Sequence, residues 1–220
     1  MENLTPVTIL IPAYNEEPRI ADVLDVVCEY KRPKRIIVID DGSEDNTYQE
    51  AQKYPVEVLR HEENRGKGAA LQTGIDHGGK SPLWLFLDAD LINLNENHME
   101  TLLTPLEQDK SLGMTVGMFV SGGKTNVDLA QRYFSILNGQ RGLAGFFIES
   151  LPSLNWARFG VEIFLSRLAK KNGVPTAEPL LANITHHTKE EKYGFRRGFV
   201  YRLQMYKECL YSYFNWQKYC

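Results

Sequence analysis

Short unbroken apolar runs alternate with amphipathic stretches along the first half of the chain. Val7-Thr8-Ile9-Leu10-Ile11 is a β-branched run closed by Pro12, and such a run, bounded by a breaker, reads as a buried strand. Ile20, Val23, Leu24 and Val27 follow at helical spacing. Asn15 is placed to cap that helix, with Glu16 and Glu17 in its first turn. Lys31 to Lys34, with Pro33, ends it and launches a second strand, Arg35-Ile36-Ile37-Val38-Ile39. A polar turn, Asp40-Asp41-Gly42-Ser43, and a helix over about 44–53 come next, then a third short strand, Val56 to Leu59. His61 to Gly68 leads into a helical Ala69 to Ile75, and a fourth apolar run over 82–87 ends on Asp88-Ala89-Asp90. Strands alternating with helices through short turns predict an α/β fold, a mostly parallel Rossmann-like sheet with helices on both faces.

The second half is less regular. Residues 96–108 read as a helix, and Leu112, Met114, Val116, Met118 and Val120 alternate as one strand over 112–120. Residues 121–160 hold six glycines among scattered apolar positions, so loops rather than framework are expected there. Val161, Phe164, Leu165 and Leu168 give a helix over 161–172 that Asn172-Gly173 caps. Val174 to Leu181, broken by Pro175 and Pro179, reads as an edge strand. After the charged Lys189 to Arg197, Phe199, Leu203, Tyr206, Leu210 and Phe214 form a helical stripe. A stripe of this kind usually faces the core, so the helix is expected to pack on the domain. Its aromatic residues, with Arg202, Lys207 and Lys218, equally suit a membrane interface or a lipid-phosphate acceptor.

Composition narrows the class. With 220 residues and 43% hydrophobic content, the chain can bury a substantial core as one large domain or two small ones. A net charge of −3 excludes a broad basic field for nucleic acid. Cys28, Cys209 and Cys220 are too far apart for a disulfide framework or a zinc pattern, which favours a reducing cytosol. The start of the chain lacks the basic and apolar regions of a signal peptide, and no apolar run nears the roughly 20 residues of a membrane span. The expectation is a soluble cytoplasmic protein, with peripheral membrane contact and oligomeric state left open.

The candidate chemistry sits where strands end. Side chains two apart on an extended chain point the same way, so Asp88 and Asp90 can serve one site. Two hard oxygen ligands at the carboxyl edge of a sheet suit Mg²⁺ or Mn²⁺ carrying a diphosphate. An Asp-x-Asp alone arises by chance with roughly even odds in a chain of this length. Its neighbours matter more: the turns at Pro12–Glu16, Asp41–Ser43 and Asp88–Asp90 share one rim in a parallel sheet. Carboxylates crowded there call for a metal or a basic group. In Arg65-Gly66-Lys67-Gly68 the two glycines can expose backbone N–H groups at a helix N-terminus, while Arg65 and Lys67 bring charge to a phosphate. The absence of P-loop spacing, and of Gly-x-Gly-x-x-Gly after the first strand, weakens NTPase and dinucleotide readings.

Taken together, Pro12-Ala13-Tyr14-Asn15-Glu16, Asp40-Asp41-Gly42-Ser43, Asn64-Arg65-Gly66-Lys67-Gly68 and Asp88-Ala89-Asp90 resemble the successive signatures of family 2 glycosyltransferases, in order and spacing, over roughly residues 5–92. The resemblance implies a GT-A fold, with a nucleotide-sugar half (about 1–115) and an acceptor half (about 116–220) in one domain. It implies that Pro12, Ala13, Tyr14 and Glu16 line the nucleoside pocket, with Asp41 on the base and Lys67 near the phosphates. Asp88, with Ala89 beside it, would meet the ribose or sugar, and Asp90 the metal bridging the diphosphate. Further on, Asn138-Gly139-Gln140-Arg141, Arg158-Phe159-Gly160-Val161-Glu162 and His186 ahead of Lys189 to Gly194 resemble a subgroup related to glucosyl-3-phosphoglycerate synthases and polyprenyl-phosphate glycosyltransferases. There a histidine completes the metal site and a Gly-Val-Glu turn faces the sugar. His186 is the better match, and His187 is its rival.

By this resemblance the chain is expected to be a metal-dependent glycosyltransferase using Mg²⁺ or Mn²⁺. Its donor would be a nucleotide-diphospho-sugar, with UDP as the nucleotide, and its unidentified acceptor would be phosphorylated or lipid-linked. Glu162 and Asp90 are the expected catalytic acids, and Arg141 the expected hold on an anionic acceptor. Glu162 can equally be a first-turn helix acid. A nucleotidyltransferase of similar fold and a non-catalytic nucleotide-sugar-binding protein are the alternatives. The first normally needs a glycine-rich signature after the first strand, and the second is usually marked by a lost signature acid.

Overall fold

The apolar runs fold as strands whose alternate side chains feed two separate core layers. The computed structural model describes residues 4–120, 138–187 and 189–220. In β1 (Val7–Ala13), Ile9 and Ile11 pack with Ile20, Val23, Leu24 and Val27 of α1 (Ile20–Glu29) and with Met99, Leu102 and Leu103 of α4 (Glu96–Gln108). Leu10 points the other way, into a layer with Ala70 and Leu71 of α3 (Lys67–Gly78) and Phe164, Leu165 and Leu168 of α6 (Val161–Lys171). β4 (Leu83–Phe86) divides likewise, with Leu83 and Leu85 in the first layer and Trp84 and Phe86 in the second. Such strands carry no polar face, because helices cover both sides of the sheet.

The main sheet runs in the order β3-β2-β1-β4-β8-β6-β9, with β2 at Lys34–Asp40, β3 at Glu57–Arg60, β6 at Met114–Val116, β8 at Arg141–Ala144 and β9 at Thr176–Ala177. Its strands are parallel except β8, which runs antiparallel between β4 and β6. Two small pairings flank it: β5 (Leu91–Ile92) antiparallel with β11 (Thr185–His186), and β7 (Met118–Val120) parallel with β10 (Leu180–Ala182). Thus the β4 edge, where Asp88 lies, is bordered by β1 on one side and by a strand from the second half on the other.

Several sequence expectations change. The strand over 112–120 breaks at Gly117, where a Cβ would lie 2.4 Å from Leu181 Cδ1, so β6 joins the main sheet and β7 leaves it for β10. The stretch 174–181 likewise divides between β9, an edge strand as expected, and β10. The glycine-rich region is framework in part: Arg141–Ala144 is a fully buried strand in mid-sheet, followed by α5 (Gly145–Glu149), while residues 151–157 are loop as expected. Gly142 is needed for closeness rather than mobility, since a Cβ there would lie 2.6 Å from Thr115 Oγ1 and 2.7 Å from Leu102 O. Residues 121–137 of that region lie outside the described residues. The helix expected over 44–53 is the shorter α2 (Thr47–Ala51).

Asn15 does not cap α1. It sits in the left-handed region at φ 56 and bridges to the next turn, while α1 begins at Ile20. Asparagine tolerates that conformation better than most side chains do.

The last helix, α7 (Lys189–Asn215), is interrupted at Gly194, whose φ is 74. Its stripe faces outward, contrary to the expected core packing. Leu203 is 51% exposed, Leu210 57% and Phe214 74%. The face turned inward carries Gly198, Cys209 and Ser212 instead. Small residues let this helix lie close to the 3-10 turn Arg158–Gly160: a Cβ at Gly160 would fall 1.9 Å from Ser212 Oγ. Among the described residues no helix is long and apolar enough to cross a membrane.

Candidate active site

The turns after β1 and β2 are laced together by side chain to backbone bonds. Ser43 Oγ accepts from Asn15 N at 2.9 Å, Asn15 Oδ1 accepts from Glu44 N at 2.9 Å, and Thr47 Oγ1 accepts from Glu16 N at 2.7 Å. Pro12 and Tyr14 are half-buried on this rim, Glu16 is buried beside Arg19, and the side chain of Ala13 belongs to the core. Burial, with Glu44 and Tyr201 nearby, raises the Tyr14 hydroxyl above its ordinary pKa. Tyr201 therefore brings α7 to the expected nucleoside side, a neighbour that no sequence motif marks.

Asp41 is fully occupied by the protein. Its Oδ1 accepts from Arg65 N at 3.0 Å and lies 2.6 Å from His61 Nδ1; its Oδ2 accepts from Asn64 Nδ2 at 2.9 Å and Gly66 N at 2.7 Å. Four partners match the four lone-pair positions of a carboxylate. These four bonds make Asp41 a scaffold for the loop that opens α3. The same bonds use the N–H groups of Arg65 and Gly66, so Gly66 does not present its own to a phosphate as expected. Gly66 instead supplies a left-handed turn at φ 91, and Gly68 a close approach, since a Cβ there would lie 2.4 Å from Leu154 O. His61, which also meets Thr73 Oγ1 at 2.9 Å, was not singled out by the sequence.

From this loop Lys67 reaches across the β4 edge. Its Nζ lies 2.5 Å from Asp88 Oδ1 and 2.6 Å from Glu162 Oε1. Burial works against the charge of both Lys67 and Asp88, but their mutual attraction outweighs it. The lysine pKa is raised, with Glu162 assisting, and the Asp88 carboxyl is held well below the usual carboxylate range. Glu162 is a first-turn acid of α6, as its position suggested, and also a buried member of this cluster.

β8 completes the cluster because its antiparallel course starts at this rim, with Arg141 in register with Phe86. Gln140 Nε2 donates to Asp88 Oδ2 at 3.0 Å while Gln140 Oε1 accepts from Asp88 N at 3.1 Å. Gly139 packs against the ion pair so closely that a Cβ would lie 2.6 Å from both Asp88 Oδ2 and Lys67 Nζ. Arg141 is only 1% exposed, its Nε donating to Asn138 O at 3.0 Å and its NH1 to Ser166 Oγ at 2.9 Å. Burial pulls its pKa down to about 10, against Glu162, Asp88 and Glu178. A guanidinium buried this way supports the floor of the cluster.

Asp88 and Asp90 lie beyond the end of β4, in a turn, so the alternation of a strand does not align them. Ala89 between them is buried in the core. Asp88 turns to Lys67, whereas Asp90 immediately precedes β5, whose Leu91 is in register with His186 of β11. His186 is close enough to Asp88 to help lower its pKa, and its ring centroid is 6.0 Å from that of Phe119. His187 faces elsewhere: it borders a shallow cavity with Asp22, Asn93 and Leu94 and lies 3.9 Å from Glu191. Among the described residues no group of three or more His, Cys, Asp or Glu side chains is arranged to hold a metal ion, so Asp90 and His186 would need a ligand's oxygens to complete a coordination sphere.

Arg158 joins this region to α7. It stands at φ 44, and its guanidinium contacts Glu208 Oε1 at 3.0 Å and Asn64 Oδ1 at 3.3 Å.

The chain resembles known proteins in three ways. The family model described as glycosyl transferase family 2 matches residues 8–157. An uncharacterised protein of Methanocaldococcus jannaschii is 29% identical over 93% of both chains. A 4,4'-diaponeurosporenoate glycosyltransferase of Staphylococcus aureus is 32% identical over 51% of this chain, the match taking in 31% of that enzyme's length, and a dolichyl-phosphate beta-glucosyltransferase of Trichomonas vaginalis is 40% identical over 38% of this chain and 28% of its own. The crystal structure of glucosyl-3-phosphoglycerate synthase from Mycobacterium tuberculosis, in complex with Mn²⁺, UDP and glucosyl-3-phosphoglycerate, superposes with a TM-score of 0.76 at 22% identity, covering 96% of this chain and 80% of that one. Fold and family are thereby shown: the chain belongs to glycosyl transferase family 2 and is a glycosyltransferase of the GT-A type.

Proposed function

We propose that this glycosyltransferase moves a sugar from a UDP-sugar to an acceptor hydroxyl with the help of Mn²⁺ or Mg²⁺. The observation that carries the reading is the buried Lys67–Asp88–Glu162 cluster at the β4 edge, with Asp90 in the turn before β5 and His186 on β11, the strand paired with β5. One carboxylate and one imidazole, joined by diphosphate oxygens, make a donor set that fits either ion. When bound, such an ion stabilises charge on the leaving diphosphate. Complexes of the M. tuberculosis synthase hold Mn²⁺ or Mg²⁺ with UDP, which supports the same cofactor class here.

The bond between the anomeric carbon and the diphosphate oxygen breaks, its electron pair leaving on the diphosphate. The acceptor oxygen bonds to that carbon and gives up its proton. Asp88, fixed by Lys67 and Gln140, orients the donor sugar, and Lys67 adds positive charge beside the phosphates. In this reading Glu162, paired with Lys67, steadies the oxocarbenium-like centre or takes the acceptor proton. Pro12, Tyr14 and Glu16 border the nucleoside. The acceptor is inferred to be phosphorylated, as is the glucosyl-3-phosphoglycerate held by the M. tuberculosis enzyme.

Calorimetric titration of UDP with and without Mn²⁺ tests the assignment. Wild type and His187→Ala should bind UDP in a metal-dependent way, and Asp90→Ala and His186→Ala about tenfold more weakly or worse. Equal binding by wild type and Asp90→Ala overturns the metal site. Pyrophosphate release from a nucleoside triphosphate and a sugar phosphate would replace sugar transfer with nucleotidyl transfer.

A further inference from the structure

Among the described residues, most of the exposed large hydrophobic side chains lie on α7. Phe199, Leu203, Tyr206, Leu210 and Phe214 recur at helical spacing, and each is 46–74% exposed. From Phe199 to Phe214 they extend about 22 Å along one side of the helix. Soluble proteins seldom leave a contiguous apolar face of that length uncovered.

Charge indicates what covers it. In a chain of net charge −3, residues 196–220 hold five basic residues, Arg196, Arg197, Arg202, Lys207 and Lys218, against one acid, Glu208. That acid is turned inward, its Oε1 on Arg158 Nε at 3.0 Å and its Oε2 accepting from Phe159 N at 3.3 Å. By helical spacing, Lys207 lies on one flank of the stripe and Arg202 on the other. A second copy laid symmetrically on the Phe199–Phe214 face would set these basic residues against their own kind, since the one acid of residues 196–220 is turned inward. An anionic lipid surface meets both demands: it solvates aromatic and aliphatic side chains at headgroup depth and attracts lysine and arginine. Tyr206 within the stripe, with Tyr211 and Tyr213 beside it, all 45–48% exposed, suit that depth, where the ring is apolar and the hydroxyl wet.

We infer that the Phe199–Phe214 face of α7 docks on an anionic membrane surface. The inward edge of the same helix holds Arg158, which holds Asn64 in the loop that Asp41 shapes, so docking and the donor side share one chain of contacts. The inference is independent of the proposed donor chemistry.

Vesicle co-sedimentation at low salt, without nucleotide, tests it. Wild type should partition at least about tenfold more onto phosphatidylcholine vesicles containing about 30% phosphatidylglycerol than onto pure phosphatidylcholine. The double substitution Leu203→Glu/Leu210→Glu should abolish this binding, and Lys207→Glu/Lys218→Glu should reduce it about tenfold. Both variants alter exposed residues and should keep the wild-type melting temperature. Failure of the wild type to bind anionic vesicles overturns the inference. So does a wild-type dimer, seen by light scattering, that Leu203→Glu/Leu210→Glu converts to monomer, because the face then belongs to a second copy.

Discussion

Gln140 grips Asp88 at both ends, its amide nitrogen 3.0 Å from the carboxylate and its amide oxygen 3.1 Å from the backbone nitrogen of the same residue. A single side chain from the second half of the chain therefore sets both where the backbone stands after β4 and which way its acid points. Lys67 supplies the opposing charge, but an ion pair alone leaves the carboxylate free to swing. The two bonds from Gln140 remove that freedom.

Replacing Gln140 by alanine should therefore lower turnover more than stability. Asp88 loses a donor to its carboxylate and an acceptor for its amide while remaining paired with Lys67. Removing such an orienting partner typically costs about 10- to 100-fold in activity, and leaving one half-buried amide unpaired costs about 1–3 kcal/mol. Steady-state assays of UDP-sugar turnover and thermal melting would show the split. A variant with wild-type turnover would mean that Lys67 suffices to place Asp88.

The four-partner environment of Asp41 leads to a different signature. If its work is to hold the loop 64–66, Asp41→Asn should release one of the amides of Arg65 and Gly66, which donate to different oxygens, because the carboxamide turns one of those oxygens into a donor. Hydrogen exchange at one or both of those amides should then rise clearly, alongside a loss of about 1–3 kcal/mol in stability. UDP affinity would fall as a consequence of the displaced loop. Weaker UDP binding with unchanged exchange at both amides would restore direct base contact.

The first half of the molecule was legible because its strands are continuous apolar runs that only a doubly covered sheet can bury. Val7–Ile11, Arg35–Ile39 and Leu83–Leu87 all became neighbours in one sheet, and their polar turns met at one rim. The second half hid its framework. Arg141-Gly-Leu-Ala has no run and no alternation, because its burial depends on close approach at Gly142 and on an arginine satisfied by Asn138 and Ser166. Periodicity in α7 shows that one face differs from the other, but not which is covered. With Gly198, Cys209 and Ser212 fitting tightly inside, the larger apolar residues were left outside. Within the site, the order of strands and turns was enough to bring Lys67 and Asp88 to the rim. Their pairing with each other and with Glu162, the grip of Gln140 and the saturation of Asp41 depend on side-chain distances that spacing does not encode.

Gly139 separates site geometry from fold stability. An alanine there puts a Cβ 2.6 Å from both members of the Lys67–Asp88 pair, so one of them must move. Displacement of a positioned group by about 1 Å can cost on the order of 100-fold in rate, while crowding of this kind costs about 1–3 kcal/mol in stability. Gly142→Ala is the control: it crowds Thr115 and the Leu102 carbonyl inside the sheet layer and should act mainly on melting temperature. Turnover and melting of the two variants should therefore fall in opposite proportion, and equal losses of both would refute a special role for Gly139.

Acid stability should depend on a group far from the site. Arg32, whose side chain is wholly buried, bonds Glu107 at 2.8 Å and Glu100 at 2.7 Å, tying the start of β2 to α4. The hydrogen bonds from Arg32 hold the Glu107 carboxyl down at about 2, against an ordinary value of 4.5. Because the folded pKa is the lower one, the contribution is fully present above pH 4.5 and is lost as pH falls from there towards 2. A shift of this size amounts to roughly 3 kcal/mol at most. Glu107→Gln should therefore lower stability at pH 7 and flatten its dependence between pH 4.5 and 2, the two proteins converging at the acid end. Denaturant melts across that range provide the measurement. Parallel curves, with the variant offset equally at every pH, would show that the Arg32–Glu107 bond does not control acid unfolding.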